Sequence, residues 1–255
     1  MSAGAPTVFS MHVWQSPPLS MFESPAWLDV VGVFDLETTG IDVTADRIVT
    51  AHVGMLDATG AVMSARDWIA DPGVEIPDAA AAIHGITTAD ARTRGRPALA
   101  VVTEVVAALR GLLEAGIPVV AYNAAFDFSL LAHEAARHGV PPLTAPSPVI
   151  DPLVVDKAYD RYRRGKRTLG VVAAHYDVRL DDAHEAAADA VAAGRVAQAI
   201  AARYAAWLPA TAEELHTRQI GWARAQAASL TEYFVRIGRI DADDSIDGTW
   251  PVRGA

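Results

Sequence analysis

Asp35 and Glu37 stand two residues apart, just after the apolar run Val30-Val31-Gly32-Val33-Phe34. Strand side chains alternate with a period of two, so both acids project from one face. Like charges held close at the end of a buried strand repel each other and resist desolvation. A divalent cation relieves both penalties, and carboxylate oxygens suit hard ions such as magnesium or manganese. Taken alone, Asp-Leu-Glu reads more readily as two solvated acids at a strand end.

Asp127 adds a third acid behind a second apolar run, in Val119-Val-Ala-Tyr-Asn-Ala-Ala-Phe-Asp127. Ligands of open α/β sheets gather beyond the carboxyl ends of central strands, where two such acidic strand ends converge. Alone, Asp127 is equally a first-turn acid favoured by a helix dipole. The last cluster is His184-Glu-Ala-Ala-Ala-Asp189. Residues i and i+5 on a helix lie about 140° apart, at about 100° per residue, so the two cannot share one face. Asp189 can point to the sheet's end while His184 sits in the first turn or the preceding loop. Asp182 and Glu185 have capping-box spacing, with Asp in place of Ser or Thr. A histidine at a helix N-terminus favours its neutral form, which a general base requires.

These residues need a scaffold, and the rest of the pattern supplies one. Strands are expected over 30–34, 47–56 and 61–70, with Asp57-Ala-Thr-Gly60 as a hairpin turn. Residues 71–97 are punctuated by Pro and Gly and read as loop with short helix. Helical spacing covers 98–114, then a buried strand covers 118–122 and a helix runs from 123 to about 138. A short strand follows at Val149-Ile150, and helices follow from Pro152, over 168–175 and over 185–204. A meander of strands followed by alternating strands and helices predicts an α/β fold with a mixed sheet. Thr211 to Gly238 reads as a C-terminal helical extension of one or two helices. Residues 1–27 read as a leader, 28–208 as the main domain, 209–240 as the extension and 241–255 as an acidic, flexible tail.

Composition narrows the class. The 255 residues carry a net charge of −10 and contain no cysteine. Disulfides, cysteine-ligated zinc, iron–sulfur clusters and a thiol nucleophile are excluded. Hydrophobic residues make up 51% and charged residues 20%, which excludes global disorder. No apolar run reaches the roughly 20 residues of a membrane span, and the first residues lack a signal-peptide pattern, so a cytoplasmic setting with no membrane partner is expected. The acidic charge argues against holding nucleic acid by the overall field, but not against a local patch or metal ions.

Together, the motifs Val33-Phe34-Asp35-Leu36-Glu37-Thr38-Thr39-Gly40, Ala121-Tyr122-Asn123-Ala124-Ala125-Phe126-Asp127 and His184-X4-Asp189-Ala190 resemble the DnaQ-like DEDDh 3′–5′ exonucleases. That family includes the proofreading subunit of bacterial replicases and the RNase T and oligoribonuclease group. His84-Gly85-Ile86-Thr87 and Gly165-Lys166-Arg167-Thr168-Leu169 match intermediate segments, and the likeness covers roughly residues 29–206. Tyr122 stands where the family more often has His or Gly. The resemblance implies an RNase H-like fold with a five-stranded mixed sheet flanked by helices. It implies two divalent ions, Mg2+ or Mn2+, held by Asp35, Glu37, Asp127 and Asp189, with His184 as the base that activates water. It further implies attack on a single-stranded 3′ end, with a nucleoside 5′-monophosphate as product. Thr38, His84 and Gly85 would border the terminal nucleotide, with Asn123 and Phe126 near the same pocket. DNA is favoured over RNA by the replicase-like pattern, although an RNA-trimming enzyme shares every motif. A non-catalytic nucleic-acid-binding module is the remaining alternative.

A basic cluster, Arg161-Tyr-Arg163-Arg164-Gly-Lys166-Arg167, stands out in this acidic chain and suits a phosphate backbone. Arg163, Arg164, Lys166 and Arg167 are the candidate contacts, with a solvated loop as the alternative. Tyr159 and Tyr162 suit base stacking or helical core equally. Arg92, Arg94 and Arg96 form a weaker second cluster. The extension could dock on its own domain, pair with a second chain or receive a polymerase. Pro18-Leu19-Ser20-Met21-Phe22 faintly resembles a sliding-clamp peptide but lacks its leading glutamine.

Overall fold

A computed structural model describes residues 25–180 and 184–253. Three long strands form the antiparallel part of the sheet: β1 (Val30–Thr38), β2 (Ile48–Asp57) and β3 (Val62–Asp71). The apolar run predicted as a strand thus continues through both acids. Two short strands, β5 (Val119–Val120) and β6 (Val149–Ile150), extend the sheet in parallel beyond β1. The order across the sheet is β4-β3-β2-β1-β5-β6.

The sheet therefore has six strands where five were expected. The addition is β4 (Arg96–Pro97), two residues paired in parallel with the β3 edge. Gly95 allows that approach, because a Cβ there would stand 2.3 Å from the Ala91 carbonyl oxygen and 2.6 Å from the Asp71 nitrogen. Proline is tolerated in this position because the edge asks for no ladder donor on its open side. The rest of the segment read as loop with short helix forms two short helices, α1 (Asp78–His84) and α2 (Thr88–Arg94), the second started by a Thr87/Asp90 capping box.

Helices cover both faces. On one lie α3 (Ala98–Glu114) and α4 (Ala124–His138). Phe34 and Leu36 of β1 point into this layer, beside Val105, Leu109, Phe128 and Leu131. The Phe34 and Phe128 rings meet edge to face at 5.3 Å. On the other face lies α7 (Ala186–Arg203), whose Ala190, Ala193, Val196 and Ile200 pack with Val31 and Val33. The period-two alternation of β1 thus divides its residues between two cores. Asp35 and Glu37 continue the row of Val31 and Val33, which is the α7 side.

Between these elements run α5 (Pro152–Tyr159) and α6 (Leu169–His175). The C-terminal stretch is one helix, α8 (Ala212–Arg236), capped by Thr211 and packed on α5 and β6. His216 Nδ1 accepts the Val149 N–H, and Gln219 Oε1 accepts the Asp151 N–H. These contacts satisfy the open edge of β6, which otherwise leaves backbone groups without a strand partner. The flexibility expected of 241–255 does not hold for residues 246–253. Trp250 is buried, its ring 4.9 Å from that of His216, and the Arg253 N–H donates to Ser129 Oγ. A large apolar ring in an acidic segment found a place in the core, and the backbone followed it.

The alanines of α7 bury little area individually, but they let the helix come close. Gly194 marks the closest point: a Cβ there would meet Val33 Cγ1 at 2.5 Å and Leu56 Cδ1 at 2.6 Å. Gly194→Leu should therefore destabilise the fold by about 1–3 kcal/mol through overpacking, despite the better helix propensity of leucine. Thermal unfolding with a calorimetric check reads this, and an unchanged or raised Tm would contradict the close approach of α7 to β1.

Candidate active site

Three carboxylates from two elements converge beyond the middle of the sheet. Asp35 and Glu37 leave β1 on its α7 side, and Asp189 descends from the first turn of α7 to meet them. Oxygens of all three lie within 4.8 Å of one another. Asp127 reaches the same region from the opposite layer, in the first turn of α4. It stands outside that tight group of three. β5 ends at Val120, so β1 has no strand partner on that side beyond Val33. Asp127 Oδ1 takes the vacant place and accepts the Leu36 N–H at 3.2 Å.

The acids resist ionisation here. Burial pushes the Asp35 carboxyl well up from its ordinary value, and the charges of Asp127, Glu37 and Asp189 push it further. Glu37 is raised to about 7, first by burial and then by Asp189. Burial also raises Asp127, opposed by the N–H groups of its own helix turn and of Leu36. Asp189 is raised by burial and lowered by the His184 backbone and charge. Acids that raise one another in this way are a fit for divalent cations, which would neutralise them together; carboxylate oxygens are also the donor set that Mg2+ and Mn2+ prefer.

His184 is exposed, in a left-handed turn with φ 74°, immediately before α7. Its backbone N–H donates to Asp189 Oδ1 at 3.4 Å, which places the His184 main chain beside the acid cluster. Glu185, expected as the third helical residue of a capping box with Asp182, does not stand at that position. Glu185 is itself the N-cap and makes no side-chain cap bond, because the helix starts at Ala186, one turn later than that box requires. Asp182 lies outside the described residues.

Of the expected nucleotide-pocket residues, Thr38 and His84 meet beside the end of β1, and Asn123 and Phe126 lie at the start of α4. Thr38 ends β1, its hydroxyl donating to the Gly40 carbonyl. His84 is buried at the end of α1, beside the Thr38 backbone, and burial lowers its pKa. Gly85 caps that helix in a left-handed conformation, φ 77°. Asn123 is exposed and left-handed, φ 62°, at the start of α4, and Phe126 is half-buried one turn on.

The basic cluster divides in two. Arg163 and Arg167 turn inward onto the buried Asp156, Arg163 Nη2 donating to Asp156 Oδ1 at 2.7 Å. Tyr176 Oη donates to the same carboxylate at 2.9 Å. The expectation that Arg163 and Arg167 contact nucleic acid is corrected: a buried carboxylate demands partners, and these two guanidinium groups supply them. Arg164 and Lys166 stay exposed. Tyr159 is core, stacked on Tyr204 at 5.2 Å, whereas Tyr162 is 88% exposed. In the second cluster, Arg96 is taken up by Glu104 at 2.6 Å.

Asp151 is the residue whose importance the sequence hid. It ends β6 and caps α5 by accepting the Leu153 N–H, as Asp-Pro suggests. It also accepts the Asn123 and Ala124 N–H groups, both at 3.0 Å, and so holds the start of α4. Burial raises its pKa to about 6 although three backbone N–H groups and Trp250 favour its charge.

A family model described as exonuclease, of the RNase T type, matches residues 33–197. The chain belongs to this exonuclease family, in its DnaQ-like DEDDh branch. PolC-type DNA polymerase III of Streptococcus agalactiae is 31% identical over 166 residues, 64% of this chain and 10% of that protein. The Lactococcus lactis counterpart is 28% identical over 211 residues, 82% of this chain and 11% of that protein. The chain thus spans about a tenth of the length of these relatives. Among solved structures, zinc-bound Escherichia coli Exonuclease I with single-stranded DNA superimposes with a TM-score of 0.59 at 17% identity. That match covers 81% of this chain and 45% of the other. Exonuclease I of Methylocaldum szegediense gives 0.56 at 19%, covering 84% and 46%. These likenesses show the shared RNase H-like fold.

The raised acids generate a test in metal-free protein. A carboxyl whose folded pKa is raised binds more protons in the folded state, so it weakens the fold as pH rises through that range. For Glu37 the window runs from its ordinary 4.5 to about 7. In EDTA, Glu37→Gln should melt above wild type at pH 8, and the gap should close as pH falls toward 5. The difference between the two proteins removes the opposing contribution of the histidines. Melting curves that run parallel across this window would show that Glu37 is not strained by its neighbours.

Proposed function

We propose that the chain is a metal-dependent 3′–5′ exonuclease that releases nucleoside 5′-monophosphates from single-stranded DNA ends, in proofreading or repair. The carrying observation is the meeting of Asp35, Glu37 and Asp189 within 4.8 Å, with Asp127 behind them, in a member of an exonuclease family. These four carboxylates would hold two divalent ions, Mg2+ or Mn2+. When bound, such ions supply charge neutralisation at the scissile phosphate and lower the pKa of water.

The chain's own residues do the rest. His184 takes a proton from the attacking water, and its backbone bond to Asp189 keeps it at the cluster. His84-Gly85 and Thr38 flank the terminal nucleotide on one side, and Asn123 and Phe126 flank it on the other. Arg164 and Lys166, exposed in a chain of net charge −10, meet phosphates upstream. DNA is supported over RNA by the PolC-type relatives and by the DNA oligonucleotides bound to Exonuclease I. A polymerase or a sliding clamp is a candidate partner; the clamp-like residues 18–22 lie outside the described residues.

Purified chain with Mg2+ or Mn2+ and matched 5′-labelled DNA and RNA oligomers tests the reading. Shortening should proceed from the 3′ end, faster on single strands than on duplexes, and faster on DNA. Release of the label as mononucleotide in the first turnover would contradict the polarity. Asp35→Ala should abolish digestion while the protein remains folded by circular dichroism. His184→Ala should slow single-turnover chemistry by about 10²–10⁴-fold and leave DNA binding nearly intact. An Asp35→Ala protein of undiminished rate would overturn the metal site, and an unslowed His184→Ala protein would remove the base.

A further inference from the structure

α8, which lies beyond the family segment, and α5, within it, enclose a groove that none of the residues discussed so far explains. Its wider part, about 580 Å³, is lined by Lys157 and Arg161 on one side and by Trp222, Ser229 and Tyr233 of α8 on the other. A narrower part, about 200 Å³, shares Lys157, Gln226 and Leu230 with it and runs to Asn123, at the start of the helix that carries Asp127. The groove therefore reaches the start of the helix that carries Asp127 and leads away from it along α8.

Its chemistry is unlike the rest of the surface. Among the described residues lining the wider part there are two cations and no acid, in a chain of net charge −10. Of the acids lining the narrower part, Asp151 is buried and committed to backbone N–H groups. Asp247 accepts the Thr249 N–H and is offset by Arg253. Trp222 is held by the edge of Tyr159 at 5.6 Å, so the ring is fixed before any ligand arrives. Tyr233 and Leu230 are 45% and 40% exposed, a cost that a covered surface would not carry. A held indole and an exposed tyrosine beside two cations suit a single strand, whose bases stack without regard to sequence while its phosphates meet charge.

We propose that this groove carries the single strand upstream of its 3′ end, bases against Trp222 and Tyr233 and phosphates against Lys157 and Arg161. The inference rests on the exonuclease reading for its direction and makes α8 a substrate track as well as a cover for the β6 edge. It predicts that affinity grows with substrate length past the few nucleotides that the acid cluster can hold.

The test places acid in the groove without touching the site: Ala225→Glu with Ser229→Glu, against Ala228→Glu as a control on the same helix outside the groove. Anisotropy of a 5′-fluorescein oligothymidylate of twenty nucleotides is read in EDTA, and digestion of that oligomer and of a dinucleotide is read with Mn2+. The double variant should bind the long strand about tenfold or more weakly, with a shallower salt dependence. Its kcat/KM should fall on the long strand and stay unchanged on the dinucleotide, with the control at wild-type values throughout. Equal affinity of double variant and wild type overturns the track, as does an equal loss in the control. A self-association that the double variant abolishes without loss of DNA affinity would assign the groove to a second copy and also overturn it. Absence of digestion by wild type would defeat the exonuclease reading alone, because the anisotropy arm still decides whether the groove binds a strand.

Discussion

The mutual repulsion of the carboxylates at the end of β1 is the constraint around which the fold is organised. Asp35, Glu37, Asp127 and Asp189 would relax apart if their elements were free to move, since burial and neighbouring charge both penalise ionisation. They are held from two sides. The α7 layer brings Asp189 onto the Asp35–Glu37 face, and its closeness depends on small residues, above all Gly194 against Val33 and Leu56. The α4 layer brings Asp127 to Leu36 through a backbone position that the short β5 leaves open. Hydrophobic burial on both faces of one strand thus opposes an electrostatic cost concentrated at that strand's end. Such a site is pre-strained toward whatever neutralises it.

A second buried carboxylate does the positioning. Asp151 gathers the start of α4 and the start of α5 at the end of β6, and is itself contacted by Trp250. Gln219 of α8 holds the Asp151 backbone, and His216 holds Val149. The C-terminal segment is therefore connected to the acid cluster through few steps: α8 to β6, Asp151 to Asn123 and Ala124, and α4 to Asp127. An extension that looks separable in sequence is part of what fixes the helix that carries Asp127.

The legible part of the sequence was the part governed by local rules. The period-two placement of Asp35 and Glu37, the helix over 98–114 and the order of strands and helices follow from alternation, helical spacing and Gly/Pro punctuation. What escaped was set by long-range partners. Arg163 and Arg167 look like nucleic-acid contacts in sequence because nothing local shows that Asp156 is buried and takes both. The pairing of Arg96–Pro97 with β3 depends on a close approach at Gly95. Trp250 sits in an acidic stretch whose composition says solvent, yet one indole outweighs it: fully burying a large apolar side chain contributes about 1.5–3 kcal/mol. That indole was the available signal for the docked tail, as Asp-Pro was for Asp151.

The two fates of the basic cluster also show how the chain divides its cations. Asp156 is buried, and an unpaired carboxylate there would cost several kcal/mol, so about two guanidinium groups are the natural complement. Arginine suits that task because its planar guanidinium carries several donors: Arg163 Nη2 donates to both Asp156 oxygens while its Nε donates to Asp160. Of this cluster, Arg161, Arg164 and Lys166 are left at the surface, on the loop between α5 and α6. That loop is anchored from beneath by Arg163 and Arg167 and from the side by Tyr122, whose hydroxyl donates to the Arg167 carbonyl. Tyr122 directly precedes Asn123. The substitution of Tyr for the family's usual His or Gly at that position thus has a structural use: it ties the basic loop to the second acidic motif, so the exposed cations and the acid cluster keep a fixed relation.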